Sequence, residues 1–100
     1  MEINIISDNN LCTVHVKGRL TFVDHASFRK MIDQVRETAS QQCVLNLHEL
    51  EFIDSAGLGM LLVLRDTLIK SSGALILKTP RGQVKKMFQV SHFDTMFDIE

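Results

Sequence analysis

The sequence predicts a single α/β domain, built on a mixed sheet of four or five strands with helices packed on it. Three observations predict it. Strand-like segments alternate with helix-like ones along the chain, which argues a sheet covered by helices. Apolar residues recur at helical spacing in the helix-like segments. The chain has 100 residues, close to the common size of one domain, and shows no repeat, linker or low-complexity tract.

Taken in order, MEINIIS reads as a first strand and DNN as a turn. LCTVHVK alternates, with Cys12, Val14 and Val16 on one face and Thr13 and His15 on the other, so the two segments predict a hairpin. Gly18 is expected to end the second strand. Asp24 can cap a helix running to about Ala39, whose Phe28, Met31, Ile32 and Val35 fall at i, i+3, i+4 and i+7. Arg29, Lys30, Asp33 and Arg36 take its wet side. CVLNL, residues 43–47, is continuous enough for a central strand. A loop follows, then a helix from about Ala56 to Ser71, with Gly73 suited to its C′ position. ALILKT is a further strand, stopped by Pro80. Gln83 to Val90 forms a third helix with Val84, Met87 and Phe88 inward. FDTMFDI closes the chain as a final strand or helical turn.

Composition narrows the function classes. The chain is 45% apolar and 23% charged, with a formal net charge of −1, so no global basic field draws it to nucleic acid or acidic lipid. It has no Trp and no Tyr, and its six Phe read as core. The N-terminus lacks the basic region and apolar segment of a signal peptide. MLLVL, residues 60–64, is far too short to span a bilayer, and a cytoplasmic location is expected. Cys12 and Cys43 read as buried free thiols, since free Cys behaves as a small hydrophobe.

Little in the chain resembles catalytic or metal chemistry. His15, His25, His48 and His92 are scattered, and none stands at metal spacing with another His or Cys. HELEF fails as a zinc motif because position 52 is Phe52. SAGLG is not a hydrolase elbow: Ile53 stands where the first glycine belongs, and no His follows until His92. Glu49 and Glu51 read as a solvated pair. An enzyme is not expected, and neither is a cofactor or metal.

The stretch FIDSAGLG, residues 52–59, stands out. Ser55 is a good N-cap for the helix that follows, a bond worth about 1 kcal/mol. Gly57 and Gly59 are odd under that reading, because each costs roughly 1 kcal/mol relative to Ala inside a helix. They leave the helix start bare, with its N–H groups and positive dipole end open to another surface or to a phosphate. Spacing alone leaves the cap and the functional site both open. Along this helix, Leu58, Leu61, Leu62, Leu68 and Ile69 make the expected buried stripe, with Arg65 snorkelling out of it. Met60 and Val63 fall off the stripe, either covered by neighbours or forming an exposed patch beside Ser55.

From LNLHELEFIDSAGLGMLLVLRDTL the chain resembles the STAS domain, in its anti-sigma factor antagonist family. Asp54 to Gly59 match that family's D-S-[AS]-G-L-G hexad in full, and the likeness extends over residues 1–100 through the opening hairpin, Gly18-Arg19-Leu20, the first helix and Gly73 before ALIL. The resemblance implies a bacterial signalling protein that controls transcription by partner switching. Ser55 would be phosphorylated by a serine kinase that doubles as an anti-sigma factor, and a metal-dependent phosphatase of the PP2C type would reverse this. The unphosphorylated form would bind the kinase-like partner through Asp54, Ser55, Ala56, Gly57, Leu58 and Gly59, with Met60 and Val63 beside them. Two positions depart from the pattern: Thr21 and Asn46 stand where many antagonists carry Asp. GRLTF is similar to the anion-transporter variant, and the alternative expectation is a constitutive STAS scaffold subunit of a transporter, stressosome-like or lipid-trafficking assembly.

Overall fold

The computed structural model describes residues 1–38 and 40–100. Strands β1 (Glu2–Asp8) and β2 (Leu11–Leu20) form the expected antiparallel hairpin. Its two-residue tip is set by Asn9, at φ 53°, a left-handed conformation that Asn tolerates. After a 3-10 turn at Phe22–Asp24 come α1 (His25–Glu37), β3 (Gln42–Asn46), β4 (Leu50–Ile53), α2 (Ser55–Lys70), β5 (Ala74–Lys78), α3 (Gly82–Val90) and β6 (Asp98–Ile99). The expected end of α1 at Ala39 lies outside the described residues.

The sheet is mixed, as the alternation predicts, with strand order β1-β2-β3-β5-β6 and β4 paired to β2. It has six strands rather than four or five, because Leu50–Ile53 pairs where the sequence shows a loop and Asp98–Ile99 adds to the far edge. The order advances in one direction, and right-handed crossovers therefore place the helices against one face. Cys12, Val14, Val16, Cys43, Leu45, Leu75 and Leu77 point to that face and are buried. Phe28, Met31, Ile32 and Val35 of α1 cover them, as their spacing requires.

Gly18 does not end β2. At φ 93° it sits where the register shifts, and β2 exchanges its partner there. Leu11–His15 pair in parallel with β3, while Gly18–Leu20 pair with β4. One long strand thus reaches past the sheet's middle and carries Leu20 to the end of β4. The helix-like run after Ile53 also packs differently from the simple stripe. Leu58, Met60, Leu61, Leu64 and Leu68 are buried, Leu62 is half-buried and Ile69 is exposed. The reason is that α2 meets two surfaces, the sheet and α1, so its buried arc is wider and rotated. Arg65 does turn outward, and its Nε donates to the Met96 carbonyl at 2.6 Å while the guanidinium lies 5.9 Å from the Phe97 ring. It ties the closing segment, a 3-10 turn at Phe93–Thr95 followed by β6, onto α2.

Gly73 is one place beyond C′. Ser72 takes the left-handed position, at φ 60°, and its N–H donates to Ile69 while Gly73 N–H donates to Leu68 at 2.7 Å. Those two bonds are a Schellman ending. A Cβ on Gly73 would lie 3.2 Å from the Leu68 carbonyl oxygen, so glycine serves there for close approach.

Cys12 and Cys43 are free, buried and direct register partners across β2 and β3. Burial, with Cys12 beside it, pushes the Cys43 thiol up to about 12, and burial also raises Cys12. Both therefore stay protonated at neutral pH, and the thiolate is the reactive form. The stability linked to these raised values is present below the ordinary thiol range and is lost as pH rises toward 12. At pH 8 a thiol-specific reagent should label neither cysteine in native protein and both in denaturant. Rapid labelling of Cys43 in the folded state would contradict this packing.

Candidate functional site

The first turn of α2 stands over the converging ends of β2 and β4. Its start is set by Asp54, not by Ser55. Asp54 is the extended N-cap, and its Oδ1 accepts the Gly57 N–H at 2.8 Å. The expected cap bond from Ser55 is thus corrected: aspartate caps as well as serine and stands one residue earlier. Ser55 occupies the first helical position, exposed, with its hydroxyl released from capping. Asp54 Oδ2 accepts the Phe22 N–H at 3.1 Å, joining the β2–α1 connection to the same helix start. Asp24 does precede α1, but its carboxylate turns back to accept Thr21 N–H at 2.9 Å instead of capping.

The two glycines of the hexad have different causes. A Cβ on Gly57 would lie 2.6 Å from both the Leu20 carbonyl oxygen and Ile53 Cγ1. Gly57 is buried, and it lets the helix press onto the strand ends. A Cβ on Gly59 would meet nothing within 4 Å. Gly59 alone fits the expectation of a bare, accessible helix start.

Of the residues expected to meet a partner, Ser55, Ala56, Gly59 and Val63 are exposed and Asp54 is half-buried. Gly57, Leu58 and Met60 are buried and offer no side-chain surface. Met60 is 7% exposed because α1 covers it: it lines a small cavity with His25, Phe28, Arg29, Ile32 and Val63. The exposed-patch expectation therefore passes to Val63, at 51% exposure.

Two supporting residues are not visible in the sequence. The Gln83 side chain accepts Ile53 N–H at 3.0 Å and donates to Ile53 C=O at 2.9 Å, acting as one residue's worth of extra strand beside β4. Arg81 Nε donates to the His48 carbonyl. Together they brace β4 immediately before Asp54. A side chain that pairs with a backbone 30 residues away leaves no local pattern to find. Among the described residues no group of three or more His, Cys, Asp or Glu is placed to hold a metal ion, and no helix is long and apolar enough to cross a membrane.

A one-layer set of helices on a mixed sheet, with an aspartate-capped, glycine-bearing helix start at its strand ends, defines the class. The STAS domain family model matches residues 2–100, and this chain belongs to that family. A STAS-domain containing protein of Pseudomonas aeruginosa is 31% identical over 93 residues, covering 93% of this chain and 91% of that protein. Among solved structures, an anti-sigma factor antagonist from Mycobacterium paratuberculosis shares the fold with a TM-score of 0.85 at 21% identity, over 98% of this chain and 83% of that one. The Bacillus cell fate determinant SpoIIAA matches at TM-score 0.74 and 21% identity in both its unphosphorylated and its phosphorylated form, over 99% of this chain and 87% or 91% of those. A sulfate transporter family protein from Wolinella succinogenes matches at TM-score 0.76 and 15% identity, over 91% of this chain and 74% of that one.

Asp54→Ala should cost about 2 kcal/mol or more, since it removes the cap and the Phe22 acceptor together. Ser55→Ala should stay within about 0.5 kcal/mol of wild type. Urea unfolding checks both, and an equal loss in the two variants would contradict the capping geometry. Gly57→Ala should destabilise by about 1–3 kcal/mol through overpacking against backbone. Gly59→Ala should stabilise by about 0.5–1 kcal/mol, because open space surrounds a helical glycine there.

Proposed function

We propose that this protein is an anti-sigma factor antagonist-like regulator, a cytoplasmic partner-binding module switched at Ser55. In its unphosphorylated form it binds a partner of the serine kinase and anti-sigma factor type, and phosphorylation of Ser55 blocks that binding. A PP2C-type phosphatase restores the binding form. The observation that carries this reading is the release of Ser55 from capping. A serine fixed as the N-cap would have its oxygen committed to the helix. Here Asp54 takes that work and Ser55 presents a free hydroxyl on the exposed first turn.

The chemistry is phosphoryl transfer from ATP to Ser55 Oγ. The bond from the γ-phosphorus to ADP breaks as the bond to Oγ forms, and the hydroxyl proton passes to a base of the kinase. The product adds about −1.5 to −2 charges at neutral pH. At a helix N-terminus the dipole and the free N–H groups of the first turn favour that anion, so the fold tolerates it. Binding does not. The phosphate adds bulk to the exposed stripe and sits beside Asp54, taking the charge facing an apolar or acidic partner surface from about −1 to about −2.5 to −3.

The alternative is a constitutive STAS scaffold subunit, favoured by the likeness to the sulfate transporter family protein. One experiment separates the two. Wild type and Ser55→Ala are incubated with ATP and the serine kinase of the protein's own source, the added mass is mapped, and partner affinity is measured for Ser55→Ala and Ser55→Asp. The switch requires one phosphate on wild type at Ser55 and none on Ser55→Ala, with Ser55→Asp binding more weakly than Ser55→Ala. Ser71 and Ser72, at the other end of α2, are the internal control, since the helix dipole opposes a phosphate there. Equal phosphate on both proteins, or equal affinity of both variants, leaves the scaffold reading.

A further inference from the structure

The two edges of the sheet are built differently. The strand order leaves β1 and β6 outermost. β6 is two residues long, Asp98–Ile99, and a short edge strand is one way a protein keeps an edge from pairing with another chain. β1 runs for seven residues, Glu2–Asp8, in unbroken register with β2. It contains no Pro and no Lys, and its two charges stand at its ends, Glu2 and Asp8. The devices that blunt an edge are therefore missing from β1.

The open backbone groups of β1 are fixed by the pairing of β2. Gln42 N–H donates to the Asn10 carbonyl at 3.1 Å and Gly18 N–H to the Glu49 carbonyl at 3.1 Å, so even positions of β2 address β3 and β4 and odd ones address β1. Leu11, Thr13, His15 and Lys17 thus hold Asp8, Ile6, Asn4 and Glu2. The N–H and C=O groups of Ile3, Ile5 and Ser7 point the other way, and among the described residues β1 pairs with β2 alone. The side chains alternate as well. Ile3 and Ile5 are half-buried on the helix side, where they line a groove of about 340 Å³ with Ser27, Lys30, Met31 and Gln34 of α1. Asn4 and Ile6 are exposed on the opposite face.

We infer that β1 is a pairing edge for a second copy of this chain, two β1 strands joining antiparallel about a two-fold axis at Asn4. The occupant is a second copy because β1 is complementary to its own reverse. Outward groups bond only outward groups, so odd positions must meet odd positions and the axis must pass through a residue. An axis at Ile5 would set Glu2 against Asp8 twice, and like charges directly opposite are unfavourable. An axis at Ile3 or Ile6 would shorten the overlap. At Asn4, Ile3 meets Ile5 twice, and these apolar pairs join the two grooves into one across the junction. Glu2 then lies opposite Ile6, and Asn4 faces its own copy in the close, non-hydrogen-bonded kind of pair. Lys30 can lay its stem along the isoleucines and keep its ammonium in water. The pairing does not rest on phosphorylation of Ser55, which lies on α2 and away from this edge.

Sedimentation equilibrium of the whole protein over a range of concentrations tests the association. The weight-average mass should rise from one chain toward two and stop there, since an isologous contact uses up the edge. Asn4→Lys places two like charges opposite each other at an exposed position. It should keep the wild-type melting temperature and raise the dimer dissociation constant roughly 5-fold or more. Cross-linking reads the register. With oxidised glutathione, Asn4→Cys should give a disulfide-linked dimer: the two introduced thiols are oxidised to one disulfide, and one glutathione disulfide is reduced to two thiols. The Cα atoms of such a pair lie about 4.5 Å apart, within disulfide reach. Ile6→Cys, also exposed, faces the partner's Glu2 and should stay uncross-linked. If the mass stays that of one chain at every concentration, β1 does not pair with itself and the inference is wrong. A dimer that ignores Asn4→Lys, or that cross-links through Ile6→Cys and not through Asn4→Cys, overturns it as well.

Discussion

One carboxylate organises the working end of this molecule. Asp54 stands between β4 and α2, and its two oxygens accept two backbone N–H groups from different parts of the chain, Gly57 in the helix and Phe22 in the β2–α1 connection. Bonds from an ionised acceptor are worth about 1.5–3 kcal/mol each, more than neutral pairs. The helix start and the turn are therefore one unit, positioned by one side chain. Because Asp54 does the capping, Ser55 need not, and its hydroxyl is left on the surface. Gly57 completes the arrangement from below, since any side chain there would strike the Leu20 carbonyl and lift the helix from the strand ends.

The sheet supplies the platform for that unit. The bulge at Gly18 lets β2 leave β3 and take β4, which brings Leu20 and Ile53 side by side under the first turn of α2. Gln83 then pairs with Ile53 on the other side, so β4 is held on both edges although it is four residues long. In open α/β sheets the carboxyl ends of the strands are where function collects. Here that position carries a hydroxyl and an exposed helix stripe in place of a pocket. The bonds that hold this surface in shape run through Asp54.

Much of the fold was legible in the sequence because it depends on local chemistry. The alternation of LCTVHVK and the 3.6-residue stripe from Phe28 to Val35 state which face is buried, the continuous apolar run of CVLNL marks a strand inside the sheet, and each is found that way. Leu50–Ile53 was not legible as a strand, because it is short, begins next to charged residues and gains its ladder from the far end of β2. The buried arc of α2 was not legible either. Its segment is apolar on most of its circumference, so period alone does not say whether Met60 or Leu62 faces inward, and contact with α1 decides for Met60.

The sequence by itself determined that an acid, a hydroxyl and two glycines open a buried helix, and the hexad they form marked the family. The tertiary structure decided what each of them does. Which residue caps depends on where the helix begins, and that is set by β4, which the sequence hides. Which glycine is needed for packing depends on the distance to Leu20 and Ile53, residues brought under it by a bulge 39 positions earlier at Gly18. The Phe22 backbone gained its place beside Asp54 through a hydrogen bond across 32 residues. Propensity and period are read over a few neighbouring positions, whereas a site assembled from strand ends is fixed by contacts between distant ones.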